Sequence, residues 1–203
     1  MQMMKTILLG IDRILLGSLV NLLRANRKVK RSLANTRDKG ICDNDNRLGL
    51  PSKVLEKAFD THKKRLERIE DKAKNNVFVV AIAISILTAG IGFYGTDSPL
   101  ADECVFLKSA ASILLVAAMI LLLLSGVLSL HSYKVGQVYY PDLEDRPELS
   151  GGNEWLRGLL LCLEMNQKII LIRANCLTTS MNCLGNGIIA VAIFFLLVLW
   201  SVF

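Results

Sequence analysis

Two long runs of residues without any charge stand next to each other in the middle of the chain. Residues 77–96 and residues 109–130 contain no Asp, Glu, Lys or Arg. Because an α-helix rises about 1.5 Å per residue, each run is long enough to cross a hydrocarbon core of about 30 Å. Residues 97–108 separate the two runs, and their first part, residues 97–103, is a short acidic loop. The pattern predicts a two-span transmembrane hairpin over residues 77–130.

Residues 131–203 end in a third apolar stretch. We predict that this part of the chain contains a connector, a cytosolic helix and a C-terminal apolar helix. Asn153 favours the start of a helix, and no charge occurs after Arg173. Residues 187–203 are apolar enough for lipid but near the short limit for a span. We expect this segment to cross the membrane, with a re-entrant or surface-lying helix as the alternative.

A helix with a periodic apolar face precedes the first span. Ser52 is a suitable N-cap, and apolar positions then recur at alternating steps of four and three, which is typical of a face packed against another helix. We predict a cytosolic helix over residues 52–76 that continues into the first span, so that a cytosolic rearrangement would reach the membrane. His62 is interpreted as a packing residue, with a pH sensor as the alternative. The candidate coupling residues are Leu55, Phe59, His62, Leu66 and Ile69.

Residues 1–51 are predicted to form an amphipathic basic helix and a loop. Apolar residues in 1–23 have helical spacing, but Asp12 and Arg13 interrupt the apolar centre that a cleavable signal peptide needs. This helix either lies on the cytosolic face of the membrane, with the basic cluster 24–31 on the headgroups, or packs against other cytosolic helices. Turn-forming residues predict a loop over residues 32–51.

The charge distribution predicts the orientation. The chain is 52% hydrophobic and 21% charged, and residues 1–76 hold 18 of its 24 Lys and Arg residues but only 9 of its 18 Asp and Glu residues. Positive residues beside a span keep that side in the cytoplasm, so we expect a cytoplasmic N-terminus. Attraction to anionic lipid explains the excess of basic residues better than nucleic acid does. We therefore expect the lipid bilayer as a partner and no nucleic acid.

Polar residues recur along one side of the last helix. Thr178, Asn182 and Asn186 follow at intervals of four, with Ala174 and Ala190 at the two ends of the stripe. Amide side chains at membrane depth need hydrogen-bond partners, so this stripe should face other helices or a wet cavity.

Hydroxyl residues in the two hairpin spans allow two interpretations. They pack closely within a helix bundle, or they face water in an oligomeric pore. We include Ser85 and Thr88 with the stripe as candidate pore or interhelix residues. Ser112, Ser125 and Ser129 of the second span allow the same two interpretations.

Known catalytic motifs do not occur in the sequence. It contains no G-x-S-x-G, no Walker-type loop and no H-E-x-x-H motif. The five cysteines form no C-x-x-C pair, and the two histidines are not at ligand spacing from a cysteine pair. We expect no enzyme activity, no catalytic residue, no cofactor and no metal site.

Residues 52–203 resemble the small two-span bacterial effectors of anti-phage defence, of the Pycsar and SLATT type and their retron- and CBASS-associated relatives. The resemblance rests on the basic helix before a tight hairpin and on the later helix with residues 164–168. The closest matches are Asp71, Lys72, Ala73, Asn166 and Lys168.

The resemblance implies a homo-oligomeric effector in the inner membrane that disrupts or permeabilises the bilayer in an abortive-infection response. The alternative is a passive membrane anchor or assembly scaffold for a cytosolic partner or sensor protein. Together these observations predict an all-α membrane protein with a two-span hairpin, a third C-terminal apolar helix and a cytosolic helical bundle.

Overall fold

The computed structural model describes residues 2–39, 49–92, 105–134, 138–140 and 153–200. Within these ranges the regular structure is four α-helices without a β-strand, which confirms the predicted all-α class for this part of the chain. The helices are α1 (Gln2–Lys39), α2 (Ser52–Gly92), α3 (Val105–Lys134) and α4 (Asn153–Trp200). The predicted acidic loop 97–103 and most of the predicted connector before Asn153 lie outside the described residues.

Three of the four described helices are long and apolar enough to cross a membrane. They are α2 over Ser52–Gly90, α3 over Ser109–Tyr133 and α4 over Glu154–Leu199. This result agrees with the prediction of several membrane helices and indicates a multi-pass membrane protein.

Two of these helices are much longer than a membrane is thick. α2 has 41 residues and α4 has 48, which correspond to roughly 60 and 70 Å of helix. α2 begins directly after Pro51, whose carbonyl accepts a hydrogen bond from the Val54 amide at 2.9 Å. Because α2 and α4 are each one continuous helix, each joins a charged segment to an apolar one.

The first helix is longer than its sequence indicated. Residues 32–39 belong to α1, although we predicted a loop over 32–51. The strong turn formers of this segment begin only at Gly40, and Ser32 and Thr36 are held to α4 by Lys168. Leu33, Ala34, Arg37 and Lys39 are good helix formers, so α1 continues up to the first strong turn former, and the contacts with Lys168 stabilise this last part of the helix.

The chain divides into two compact units. Unit 1 consists of Met1–Asp71 and Ser132–Cys176, and unit 2 consists of Lys72–His131 and Leu177–Phe203. The charged side chains in the helices of unit 2 are Lys72, Lys74 and Lys108, so the structure separates charged from apolar segments as the sequence does.

Unit 1 has an apolar core between α2 and the first turns of α4. Leu55 of α2 packs with Trp155 and Leu159, and Phe59 lies at the edge of this cluster. The Phe59 ring also meets Tyr140 edge to face, with 5.8 Å between ring centroids. These contacts give unit 1 its own hydrophobic core.

Unit 2 buries small and polar residues and exposes many large apolar ones. Its interior contains Ala83, Ala118 and Ser125 beside larger side chains such as Leu122 and Phe194. Large apolar side chains are exposed on its surface, among them Phe78, Ile82, Ile86, Val116, Ile120, Val127, Ile189 and Leu196. This distribution is typical of helices that pack closely in lipid, where apolar side chains gain nothing by leaving the surface.

Candidate functional site

A buried cluster of four polar side chains joins the three helices of unit 2. Asn76 of α2 lies beside Ser125 and Ser129 of α3 and Ser180 of α4. The Asn76 Nδ2 atom donates to the hydroxyls of Ser129 and Ser180, each at 2.6 Å, and lies 3.3 Å from the Ser125 hydroxyl. An amide nitrogen has two hydrogens, so the two short contacts are its principal bonds. We call these four residues the amide–hydroxyl cluster.

The serines of the cluster also bond to each other and to the backbone. The Ser125 hydroxyl donates to the Ser180 carbonyl at 2.8 Å, and the Ser180 hydroxyl lies 2.6 Å from the Ser125 carbonyl. The Ser129 and Ser180 hydroxyls are 2.7 Å apart. Side-chain contacts to the carbonyls of the facing helix require close backbone approach, which small residues allow.

The position of Asn76 follows from the packed face of α2. Buried residues recur along this helix at alternating steps of three and four, through Ala73, Asn76, Val80, Ala83 and Leu87. Asn76 thus occupies a core position at which the other members are apolar. An amide at such a position fixes the register of neighbouring helices, because a shifted register would leave it without partners.

Glycines bring the helices of unit 2 close together. A Cβ atom added at Gly187 would lie 3.0 Å from Leu122 Cδ2, and one added at Gly90 would lie 2.7 Å from Phe195 Cζ. Neither position has room for a larger side chain without movement of its neighbour.

The amide–hydroxyl cluster is chemically a set of neutral donors and acceptors. None of its four side chains changes charge near neutral pH, so it offers no general acid, base or activated nucleophile. It can hold three helices together, and its groups can exchange internal hydrogen bonds for water if the helices separate.

The predicted polar stripe of the last helix lies on the surface of unit 2. Thr178, Asn182 and Asn186 are all exposed. The first-span candidates, Ser85 and Thr88, are exposed too, and each donates to the carbonyl four residues earlier in its own helix, at 2.9 and 2.8 Å. The structure does not bring these five residues together in the interior of the chain.

The hydroxyls of the second span differ in burial. Ser125 and Ser129 are buried in the amide–hydroxyl cluster, so for these two the packing interpretation applies. Ser112 is exposed.

The predicted coupling residues lie along one packed side of α2 in unit 1. Leu55 and Leu66 are buried, and Phe59, His62 and Ile69 are half-buried. Their proposed role in coupling remains a prediction.

His62 is the titratable member of this packed side. Burial lowers the pKa of His62 below its usual 6.5, and the nearby Arg65 guanidinium lowers this pKa further. A hydrogen bond with the Leu163 backbone acts in the opposite direction. Its Nδ1 atom is buried and has no hydrogen-bond partner among the described residues.

A second set of polar contacts joins α2, α3 and α4 inside unit 1. The guanidinium of buried Arg173 pairs with Glu70 at 2.5 Å, and the Arg173 carbonyl accepts a hydrogen bond from the Ser132 hydroxyl at 3.0 Å. The ion pair with Glu70 offsets part of the cost of burying the Arg173 charge, while the Ser132 bond satisfies the Arg173 backbone carbonyl.

Helix α1 packs against α4 through polar side chains. Asn26 accepts a hydrogen bond from Asn175 and donates to the Cys176 sulfur, while Lys168 donates to Thr36 and to the Ser32 carbonyl. Later residues of α1 contact earlier residues of α4, so the two helices are antiparallel. Side chains before Gly17 lie outside those described, and the two predicted locations for residues 1–23 both stay predictions.

Comparison with known proteins adds no family assignment. No protein family, curated protein or solved structure matches this chain. The arrangement of its residues is therefore the basis for a functional proposal.

Sequence reasoning missed Asn76, Ser180 and Arg173 as interacting residues. The steps of three and four that predicted the face from Leu55 to Ala73 extend to Asn76, which was a usable signal. Ser180 lies 104 positions after Asn76 in sequence, and nothing in the periodicity of α4 shows that these two residues would meet.

Proposed function

We propose that this protein is a homo-oligomeric effector of the bacterial inner membrane that permeabilises the bilayer in an abortive-infection type of anti-phage response. The observation that carries the proposal is the exposure of Asn182 and Asn186 on a surface of α4 that also carries large apolar side chains. The resemblance of residues 52–203 to small two-span defence effectors supports the biological setting.

The exposed amides favour assembly for an energetic reason. Next to Asn182 and Asn186 the helix surface carries Met181, Ile188 and Ile189, which suit contact with lipid. An amide without a hydrogen-bond partner in an apolar medium costs about 2–7 kcal/mol. A second copy of the chain or a water-filled lumen between copies would remove this cost, whereas lipid would not.

The remaining surface of unit 2 also suits close helix contacts. Ala81, Ser85 and Ala89 form an exposed small-residue face on α2, and the Ser85 hydroxyl is already bonded within its helix. Such faces allow helices of different copies to approach closely. Closed rotational symmetry is the usual outcome for identical chains.

The proposed topology places the hairpin and the C-terminal helix in the bilayer and the charged helices in the cytoplasm. Its support is the concentration of basic residues before position 77 and the near absence of charge from the described helices of unit 2. Because α2 is one helix from Ser52 to Gly92, a cytosolic movement of its first turns could reach the membrane segment. The residues assigned to this coupling are Leu55, Phe59, His62, Leu66 and Ile69.

The test compares amide substitutions with a matched apolar one on the same helix. Induction of the wild type in a bacterial host should depolarise the membrane and admit propidium, and purified protein should release a small dye from liposomes. Asn182→Leu with Asn186→Leu should abolish both effects, while Met181→Leu should retain them. If the double variant permeabilises vesicles as the wild type does, the amides do not line or hold a pore.

A passive anchor or assembly scaffold is the second candidate. The observation in its favour is the exposed charged face of α2, with Lys63, Lys64, Arg65, Glu67 and Arg68. This function predicts a stable co-purifying partner and no dye release. The amide double variant would then still bind the partner, whereas charge reversal at Lys63 and Lys64 would release it.

A further inference from the structure

A cleft of about 470 Å³ lies in unit 1 between α1 and the short segment 138–140. Sites for small molecules usually have volumes of about 300–1,000 Å³, so the cleft is large enough for a ligand headgroup. Its lining combines two cations, one carboxylate, a phenol and two apolar residues. These residues are Lys30, Leu33, Ala34, Arg37, Asp38 and Tyr139.

The two cations lie on one face of α1. Lys30 and Arg37 are seven residues apart, which is two helical turns or about 10 Å along the axis. Leu33 lies between them on the same face. Both cations are exposed, and neither has an ion-pair partner within the part of the chain that the structure describes. Their long side chains can therefore turn toward one anionic group above Leu33.

Tyr139, in the opposite wall, is held in place by a buried amide. The side-chain oxygen of Asn166 accepts from the Tyr139 backbone N–H, and its Nδ2 donates to the Tyr139 carbonyl, each at 2.9 Å. Asn166 is 1% exposed, so both of these bonds are shielded from water. The pair of bonds fixes the backbone from which the Tyr139 ring projects.

The α1 wall is held by Lys168, which lies two positions after Asn166 in α4. Lys168 donates to Thr36 and to the Ser32 carbonyl, which sets the register of α1 on α4. Asn166 and Lys168 therefore fix the two walls from one turn of α4. A site whose walls are fixed before binding loses less entropy when a ligand enters.

We propose that this cleft binds a phosphate-bearing ligand. Lys30 and Arg37 hold the phosphate, with Arg37 able to donate two parallel hydrogen bonds to its oxygens. The Tyr139 hydroxyl and the Asp38 carboxylate bind hydroxyl groups carried by the same ligand. A soluble phosphate ester and the glycerol phosphate headgroup of an anionic lipid share this chemistry. The proposal does not depend on whether the protein permeabilises membranes.

The experiment uses the full-length protein in a neutral maltoside detergent with two probes. Isothermal titration with glycerol 3-phosphate tests the soluble source, and native mass spectrometry with added phosphatidylglycerol, against phosphatidylcholine, tests the lipid source. At least one probe should bind the wild type, and Lys30→Ala or Arg37→Ala should weaken that binding about tenfold or more. Whichever probe binds identifies the source of the phosphate.

Arg31→Ala is the matched control, because Arg31 is an exposed cation of the same helix that does not line the cleft. It should change the affinity less than twofold. Asn166→Ala should weaken binding although it removes no cation, since the Tyr139 wall is no longer fixed. Tyr139→Ala provides the same test if the Asn166 variant does not fold.

Two results would overturn the proposal. Binding that falls equally in the Arg31 and Arg37 variants would be general attraction to a basic helix. The absence of binding by both probes would show that the cleft is not a phosphate site.

Discussion

Replacing Asn76 with alanine should destabilise the helix bundle of unit 2. The substitution removes the two 2.6 Å hydrogen bonds from the amide to the hydroxyls of Ser129 and Ser180. The serines keep their bonds to each other and to the carbonyls of Ser125 and Ser180, so the loss is confined to the bonds of the amide.

The size of the effect follows from these two bonds. A net contribution of about 0.5–1.5 kcal/mol per bond gives about 1–3 kcal/mol, and measured values between membrane helices fall toward the lower end. Alanine is also a better helix former than asparagine by a few tenths of a kcal/mol, which opposes the loss. A control for this second effect is therefore required.

Asn75→Ala is that control, because Asn75 is the same residue type in the same turn but is exposed. The free energy of unfolding can be measured by titrating SDS into maltoside micelles while helical circular dichroism is followed. Asn76→Ala should be less stable than Asn75→Ala by about 1–3 kcal/mol.

A double-mutant cycle with Ser129→Ala then measures the coupling directly, and we expect about 0.5–1.5 kcal/mol. Equal stability of the two asparagine variants, together with zero coupling, would show that the amide does not join the helices in solution.

Two further predictions concern close packing and pH. Gly187→Val should lower the free energy of unfolding by about 1–3 kcal/mol, because the new side chain meets Leu122. Gly185→Val should not lower it, because nothing lies within 4 Å of a Cβ atom at that position. Equal losses in the two variants would contradict the close packing at Gly187. His62 has a lowered pKa, so the folded state favours its neutral form. Its stabilising contribution is complete above the unfolded pKa of about 6.5 and is lost as the pH falls from that value through the lower pKa of the folded state. Thermal unfolding at pH 7.5 and 5.5 should therefore show a larger loss for the wild type than for His62→Gln, and identical losses would refute this role of the imidazole.

The sequence alone determined where the helices of this protein lie and which parts suit a membrane. Long runs without charge and the steps of three and four before residue 77 depend only on the geometry of a single helix, so they can be read without knowledge of its neighbours. The loop prediction was wrong at residues 32–39 because its strong turn formers begin only at Gly40, whereas Leu33, Ala34 and Arg37 before it favour a helix.

Only the tertiary structure decided which side of each helix is buried. Ala81, Ser85 and Ala89 form a small-residue stripe much like that of Ala111, Ala118 and Ser125, yet the first is exposed and the second is buried. Periodicity shows which residues share a face, but the rotation and depth of a helix depend on contacts with other helices. The meeting of Asn76 with Ser180 is a contact of this kind.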